Sequence, residues 1–223
     1  MSRDTNPNVT LGETAAMREG DLELERTLPD HLVAVRDRLV EAFGNVAEGD
    51  ADGLEVLADR RELTVVTGPE RLIELLAFCR DDPALQCELL SDLSGVHWLG
   101  GTHEASAQAT TGWPTYTEQR TGRIEVNYLL TSISHGHRFR VRVNLDDEAP
   151  RLPTATGVYS VADFLEREVY DFFGVVFADH PNLQRILMPE DWEGHPHRKD
   201  YPLGGVEVEY KGATIPPPDE RDY

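Results

Sequence analysis

Apolar positions recur along this chain in two periods, and the switches between them divide it into elements. Leu32, Val35, Leu39 and Phe43 fall three to four residues apart, the spacing that aligns side chains on one face of a helix. Pro29 suits the first turn of that helix and Gly44 its stop. Asn45–Gly53 then reads as a loop. Leu63-Thr64-Val65-Val66-Thr67 is a short β-rich run closed by Gly68-Pro69. Leu72, Leu75, Leu76 and Cys79 restore the helical period over Glu70–Arg80. Leu85, Cys87 and Leu89 alternate with polar residues and predict a strand with Cys87 turned inward. Gly100–Gly112 is rich in small residues and reads as a loop. Beyond it Ile124, Val126, Tyr128 and Leu130, and then Phe139, Val141, Val143 and Leu145, alternate on either side of Ser134-His135-Gly136-His137. That is a β-hairpin, with His135 and His137 as turn and strand-end residues. Helices followed by strands, with no βαβ series, predict an α+β domain: a single sheet of mostly antiparallel strands with helices on one face.

The ends of the chain differ from this middle. Residues 1–27 are polar and acidic and read as a flexible arm, so the α+β domain spans 28–159. Ser160 stands as an N-cap with Asp163 three residues on, close to a capping box, and predicts a helix through Phe173 closed by Gly174. Phe164, Leu165, Val169, Phe172 and Phe173 make this helix apolar nearly all round, among Glu166, Arg167, Glu168 and Asp171. At least one acid therefore lies on or beside a buried face, where a charge needs a partner. Arg167 can meet Asp171 one turn on, and the other acids need partners from elsewhere. Pro181, Pro189, Pro196 and Pro202 then recur every six to eight residues and forbid a long helix or central strand. The same stretch holds Phe177, Leu183, Ile186, Leu187, Met188, Trp192 and Tyr201, which need burial. The economical solution is an extended strip over 160–203 laid on another protein, followed by an irregular tail over 204–223.

Charge narrows the partners. Lys and Arg number 21 against 41 Asp and Glu, a net −20 that argues against nucleic acid and against direct docking on anionic lipid. No apolar run reaches the roughly 18 residues of a membrane helix, and Met1–Asn8 lacks the apolar core of a signal peptide. The expected place is cytoplasmic, with any membrane met through other subunits. Two cysteines, Cys79 and Cys87, fall short of an iron–sulfur ligand set. His180, His195, His197, Asp179 and Asp200 are candidate metal ligands, although Pro196 restricts both its neighbours. Glu166 and Glu168 stand two apart on a helix and so do not face each other for acid–base work. Arg185, Arg198 and Lys199 suit an acidic partner surface or capped carbonyls. No phosphate-binding or dinucleotide fingerprint is present. Two function classes remain: an interaction subunit, and a stand-alone metal-dependent enzyme using the His-rich C-terminal segment.

Glu166-Arg167-Glu168-Val-Tyr-Asp171, Gly174, His180-Pro181, Arg185 through Pro189, Trp192, His195-Pro196 and Arg198-Lys199-Asp200-Tyr201-Pro202 together resemble the signature of the 30-kDa subunit family of complex I. Phe164 stands where that family often has Trp, Asp179 where Gly is common, Gln184 where Arg is common, and His197 at a variable position. The resemblance implies a non-catalytic structural subunit in the hydrophilic arm of a proton-translocating NADH–quinone oxidoreductase, on the cytoplasmic face of the membrane. It implies no cofactor in this chain, with FMN and iron–sulfur clusters in partner subunits. It further implies packing on the 49-kDa-type subunit of the quinone site and on neighbouring iron–sulfur subunits. The signature residues then serve structure or interface, and none is catalytic, cofactor-binding or metal-binding.

Overall fold

Helix α1 (Asp30–Phe43) turns Leu32, Val35, Leu39 and Phe43 inward, and Gly44 closes it at φ 76 by donating its N–H to Val40 O. Strands β1 (Glu55–Asp59) and β2 (Glu62–Thr67) follow, then a 3₁₀ turn at Pro69–Arg71 and helix α2 (Leu72–Asp81). Next come β3 (Leu89–Trp98), β4 (Gly101–Ser106), β5 (Thr115–Arg120), β6 (Arg123–Ser132), β7 (His137–Asp146) and β8 (Arg151–Pro153). Helix α3 (Ala162–Phe173), β9 (Val176–Ala178), β10 (Val208–Tyr210) and β11 (Ala213–Ile215) complete the order. The structure is a computed structural model and describes residues 27–44, 54–106, 115–202, 208–210 and 213–215. The expected arm, apart from Thr27, and the expected loop at 45–53 lie outside the described residues.

The fold is α+β, as the pattern predicts. Five strands form a mixed sheet in the order β1-β2-β7-β6-β3. All neighbours are antiparallel except β2 and β7, which run parallel with Thr64 opposite Arg140. The β6–β7 hairpin has the expected register, Ile124 opposite Leu145 and Leu130 opposite Phe139. Its inward residues join those of α1, α2 and α3 in one core. Alternation thus puts the helices on one face of the sheet and leaves the polar alternates on the other. Three two-stranded pairs, β4–β5, β8–β9 and β10–β11, stand beside the main sheet.

Several local expectations are corrected. Strand β1 carries no signal in the sequence: Glu-Val-Leu-Ala-Asp has no alternation, and its turn, Arg60-Arg61, has left-handed φ values of 50 and 64 without Asn or Gly. Leu85 and Cys87 are buried, but in a turn rather than a strand, because Gln86 takes φ 41. The strand begins at Leu89, which is itself exposed, and a bulge between Leu90 and Asp92 resets the alternation. The predicted loop at Gly100–Gly112 contains β4, paired with β5. The tail predicted to be irregular contains the β10–β11 pair. The helix of the last third starts at Ala162 with Val161 at its N-cap and no side-chain cap, since Ser160 belongs to the preceding turn.

Candidate functional site

Helix α3 is one-sided rather than apolar all round. Ala162, Glu166, Val169 and Phe173 recur every three or four residues on its buried face, and Asp171 is buried beside them, while Phe164 is 60% exposed. The pattern therefore drives two carboxylates into the protein, and each is met by a set of donors.

Glu166 is fully enclosed. Its Oε2 accepts the Thr154 hydroxyl and its Oε1 the Ala155 N–H, both at 2.6 Å. The His180 Nε2 lies 3.8 Å away. That ring is committed elsewhere: Nε2 donates to Asp163 O at 3.1 Å, and Nδ1 accepts the Asn182 N–H at 3.0 Å. Burial pushes the Glu166 carboxyl up to about 7, against the opposing bonds from Thr154 and Ala155, and the nearby Asp163 charge adds to the rise.

Asp171 is the better served. Its Oδ1 takes the Arg185 Nη1 at 2.6 Å, and its Oδ2 accepts three successive amides, those of Ile186, Leu187 and Met188, at 3.1, 2.8 and 2.9 Å. Burial would raise this carboxyl, but the Met188 and Leu187 amides, the Arg185 guanidinium and the Ile186 amide together hold it below the usual range. Arg167 does not pair with Asp171, contrary to the helical spacing. It leans toward the strip and caps Gln184 O and Arg185 O.

Arg185 organises the segment after it. Its Nη2 donates to Trp192 O and Gly194 O, closing residues 185–194 into a loop on the C-terminal end of α3. His195 Nδ1 donates to Asp171 O at 2.9 Å, and His197 donates its N–H to Phe172 O while its ring stacks 3.9 Å from Phe172. Farther on, the Lys199 N–H reaches Nδ1 of the buried His97, Arg198 caps Asp147 O, and Arg198 pairs with Asp200. Tyr201 donates to Glu193 O. Pro181, Pro189, Lys199 and Pro202 are exposed, as is Glu168; Pro196 is half-buried. Phe177 and Leu183 pack on the chain's own core, while Ile186, Leu187 and Trp192 are 38%, 58% and 40% exposed.

Arg167, Asp171, Arg185 and His195 thus converge on one feature, a proline-broken strip clamped to α3. Of the candidate metal ligands, His180, His195, His197 and Asp200 instead engage different neighbours. Among the described residues no group of three or more His, Cys, Asp or Glu is placed to hold a metal ion. Sequence reasoning missed Thr154, Ala155, His97 and Asp147, which lie outside the signature. Of these, only His97 carried a signal, as an inward alternate once the strand is extended to Trp98.

Gly174 is the hinge between helix and strip. It takes φ 77, and a Cβ there would stand 2.7 Å from the His195 ring. Gly174→Ala is expected to cost about 2 kcal/mol, since a left-handed non-glycine residue alone costs roughly 1–2 and His195 must also shift. Urea unfolding of the two chains measures this; an unchanged midpoint would show that the helix end tolerates a right-handed exit. Asp179, which the resemblance places where Gly is common, likewise has φ 62, a conformation Asp adopts more readily than most residues.

A family model described as the 30 Kd subunit of respiratory-chain NADH dehydrogenase matches residues 65–207, including all of this site beyond α2. The chain belongs to that family. The C subunit of NADH-quinone oxidoreductase from Salinispora arenicola is 47% identical over 192 residues, covering 86% of this chain and 69% of the relative. The protein of the same name from Mycolicibacterium gilvum is 45% identical over 188 residues, covering 84% and 74%. A chain in the solved membrane-bound sulfane sulfur reductase, an archaeal respiratory membrane complex, superposes with TM-score 0.51 at 21% identity over 78% of this chain and 87% of that one, a likeness of fold. Among the described residues no helix is long and apolar enough to cross a membrane.

Proposed function

We propose that this chain is a non-catalytic structural subunit in the hydrophilic arm of a proton-translocating NADH–quinone oxidoreductase, where it supports electron transfer from NADH to quinone. One observation carries the reading: the buried Asp171 of α3 is spent on bracing a strip whose apolar side chains Ile186, Leu187 and Trp192 stay outward. A helix that used Glu166 and Asp171 for chemistry would leave them open to a substrate. Here Asp171 has three amides and a guanidinium on it, and Glu166 is fully enclosed. A rigid, outward apolar strip is what a permanent interface offers. Its partner is the 49-kDa-type subunit of the quinone site, with iron–sulfur subunits alongside. FMN and the clusters belong to those partners, and the chain holds no cofactor. It sits peripherally on the cytoplasmic face of the membrane, attached through the complex.

Affinity purification of the tagged chain from its native membranes in mild detergent tests this. The unmodified chain should bring flavin and iron–sulfur absorbance with NADH-driven quinone reduction. Leu187→Asp combined with Trp192→Ala should lower the co-purified flavin roughly thirtyfold, the loss of about 2 kcal/mol typical of one interface hot spot, while the variant chain keeps its fold. Recovery of the unmodified chain alone and colourless would end the reading.

A further inference from the structure

Strand β3 forms one border of the five-stranded sheet. It pairs with β6 along Leu89–Trp98, and among the described residues no backbone group bonds its other side. Such a border presents alternate N–H and C=O groups to any extended chain that reaches it, and proteins blunt it with charge, proline or a bulge. The first half of β3 has two of these devices, Asp92 and the bulge between Leu90 and Asp92. The run Leu93-Ser94-Gly95-Val96-His97 has no proline, acid, lysine or arginine, and its register against β6 is regular. A cavity of about 560 Å³ opens on this run, within the roughly 300–1,000 Å³ of a binding pocket. It touches Gly95, Val96 and His97, whose side-chain positions alternate between the two faces of the sheet, so it follows their backbone. Their partners on β6, Val126, Glu125 and Ile124, do not line it, which puts it on the unpaired side of the strand.

The far wall of the cavity is the strip and the end of α3. Phe173 stands so close to β3 that a Cβ on Gly95 would be 2.6 Å from its ring, and the Lys199 N–H donates to His97 Nδ1 at 2.8 Å. The strip is thus fixed beside the strand without pairing with its backbone. The charges at this wall are one short of balance. Arg198 pairs with Asp200, and His97 faces Asp147 at 3.4 Å. Lys199 is exposed, and among the described residues its ammonium meets no carboxylate. We propose that an extended segment of a partner subunit adds to β3 as a sixth strand over Leu93–Trp98, with an Asp or Glu of that segment on Lys199. Main-chain hydrogen bonds hold such a segment, and the pocket beside it selects the side chain. A second copy of this chain would bring a like net charge of −20 to the strand, whereas a single carboxylate fits the one unpaired ammonium. The inference rests on the reading of the chain as a subunit held by its strip, and it gives the complex a contact distinct from Ile186, Leu187 and Trp192.

Hydrogen exchange at single-residue resolution, on the full chain alone and in the complex purified through its tag, tests this. In the free chain alternate amides from Leu93 to Trp98 should exchange at least roughly a hundredfold faster than their neighbours bonded to β6. In the complex both sets should be slow. A carbodiimide, which joins an amine to a carboxylate in direct contact, should link Lys199 to an Asp or Glu of another subunit. Lys199→Glu, with an unchanged unfolding midpoint as the control for folding, should speed the outward amides at least roughly tenfold in the complex that is recovered. Outward amides that stay fast in a complex carrying flavin and iron–sulfur absorbance would overturn this inference and leave the subunit reading standing. Slow outward amides in the free chain would overturn it too: protection that rises with concentration gives the strand to a second copy, and protection independent of concentration gives it to another segment of this chain. Exchange unaffected by Lys199→Glu would overturn the pairing with Lys199. Recovery of the chain alone and colourless would end both readings.

Discussion

Asp171→Ala is expected to destabilise the chain by about 3–5 kcal/mol, the usual cost of removing one partner from a buried ion pair. The reason lies in what is left behind. Arg185 loses the carboxylate it meets at 2.6 Å, and the amides of Ile186, Leu187 and Met188 lose their common acceptor. Three unsatisfied donors next to an unpaired guanidinium cannot stay against α3, so the loop held by Arg185 through Trp192 O and Gly194 O opens as well. Asp171→Asn should cost less, because its oxygen still accepts the amides while its NH₂ group faces the guanidinium donor to donor. Urea unfolding gives the energies, and hydrogen exchange at residues 186–188 locates them. In the complex the same substitution should reduce the amount assembled and leave turnover per assembled complex unchanged. Normal assembly with slow turnover would mean that Asp171 acts in the reaction, which would falsify the bracing role.

Glu166 makes the second large prediction, and its sign is opposite to that of a paired carboxylate. Its ordinary value is 4.5, and burial raises it to about 7 in the folded chain. Below about pH 4.5 the group is protonated in both states and adds no pH dependence. Between about pH 4.5 and 7 the unfolded chain releases this proton while the folded chain keeps it. Stability therefore falls as pH rises through that window, by about 1.4 kcal/mol per unit and about 3 kcal/mol in all. Glu166→Gln removes the ionisation but can still accept the Ala155 N–H and donate to Thr154. The variant should match the parent near pH 4.5 and exceed it by about 3 kcal/mol near pH 8. Asp171 and Asp200, whose values are lowered, act in the other direction and at lower pH, so the difference between variant and parent isolates Glu166. A difference that stays constant with pH would show that the folded chain holds Glu166 ionised at neutral pH.

These two acids show where sequence reading succeeds and where it stops. That an acid of α3 must be buried follows from Phe and Val positions at helical spacing, and Glu166 and Asp171 are both at 0% exposure. The identity of their partners does not follow. Helical spacing offers Arg167 to Asp171 one turn on, yet Arg185 takes it from 14 residues away, because the chain reverses after Gly174. The fold divides in the same way. Long periodic stretches such as α1 and the β6–β7 hairpin are legible from their apolar alternates. Short elements held by distant pairing are not: β1 has no pattern of its own, and β8 and β9 have three residues each. The Leu85–Leu89 alternation misleads because one left-handed residue, Gln86, converts it to a turn.

The parallel seam between β2 and β7 sets an order of events during synthesis. Thr64 and Arg140, opposite each other across it, are 76 residues apart in the chain. Antiparallel β1–β2 and β6–β7 close locally, but β2 has no second neighbour until β7 has left the ribosome. At roughly 5–20 residues per second that interval is about 4–15 s. For those seconds Leu63 and Val65, both buried in the finished sheet, are exposed beside an unpaired backbone. The nascent chain therefore passes through a stage that invites edge-to-edge association, and its yield depends on how quickly the second hairpin is delivered.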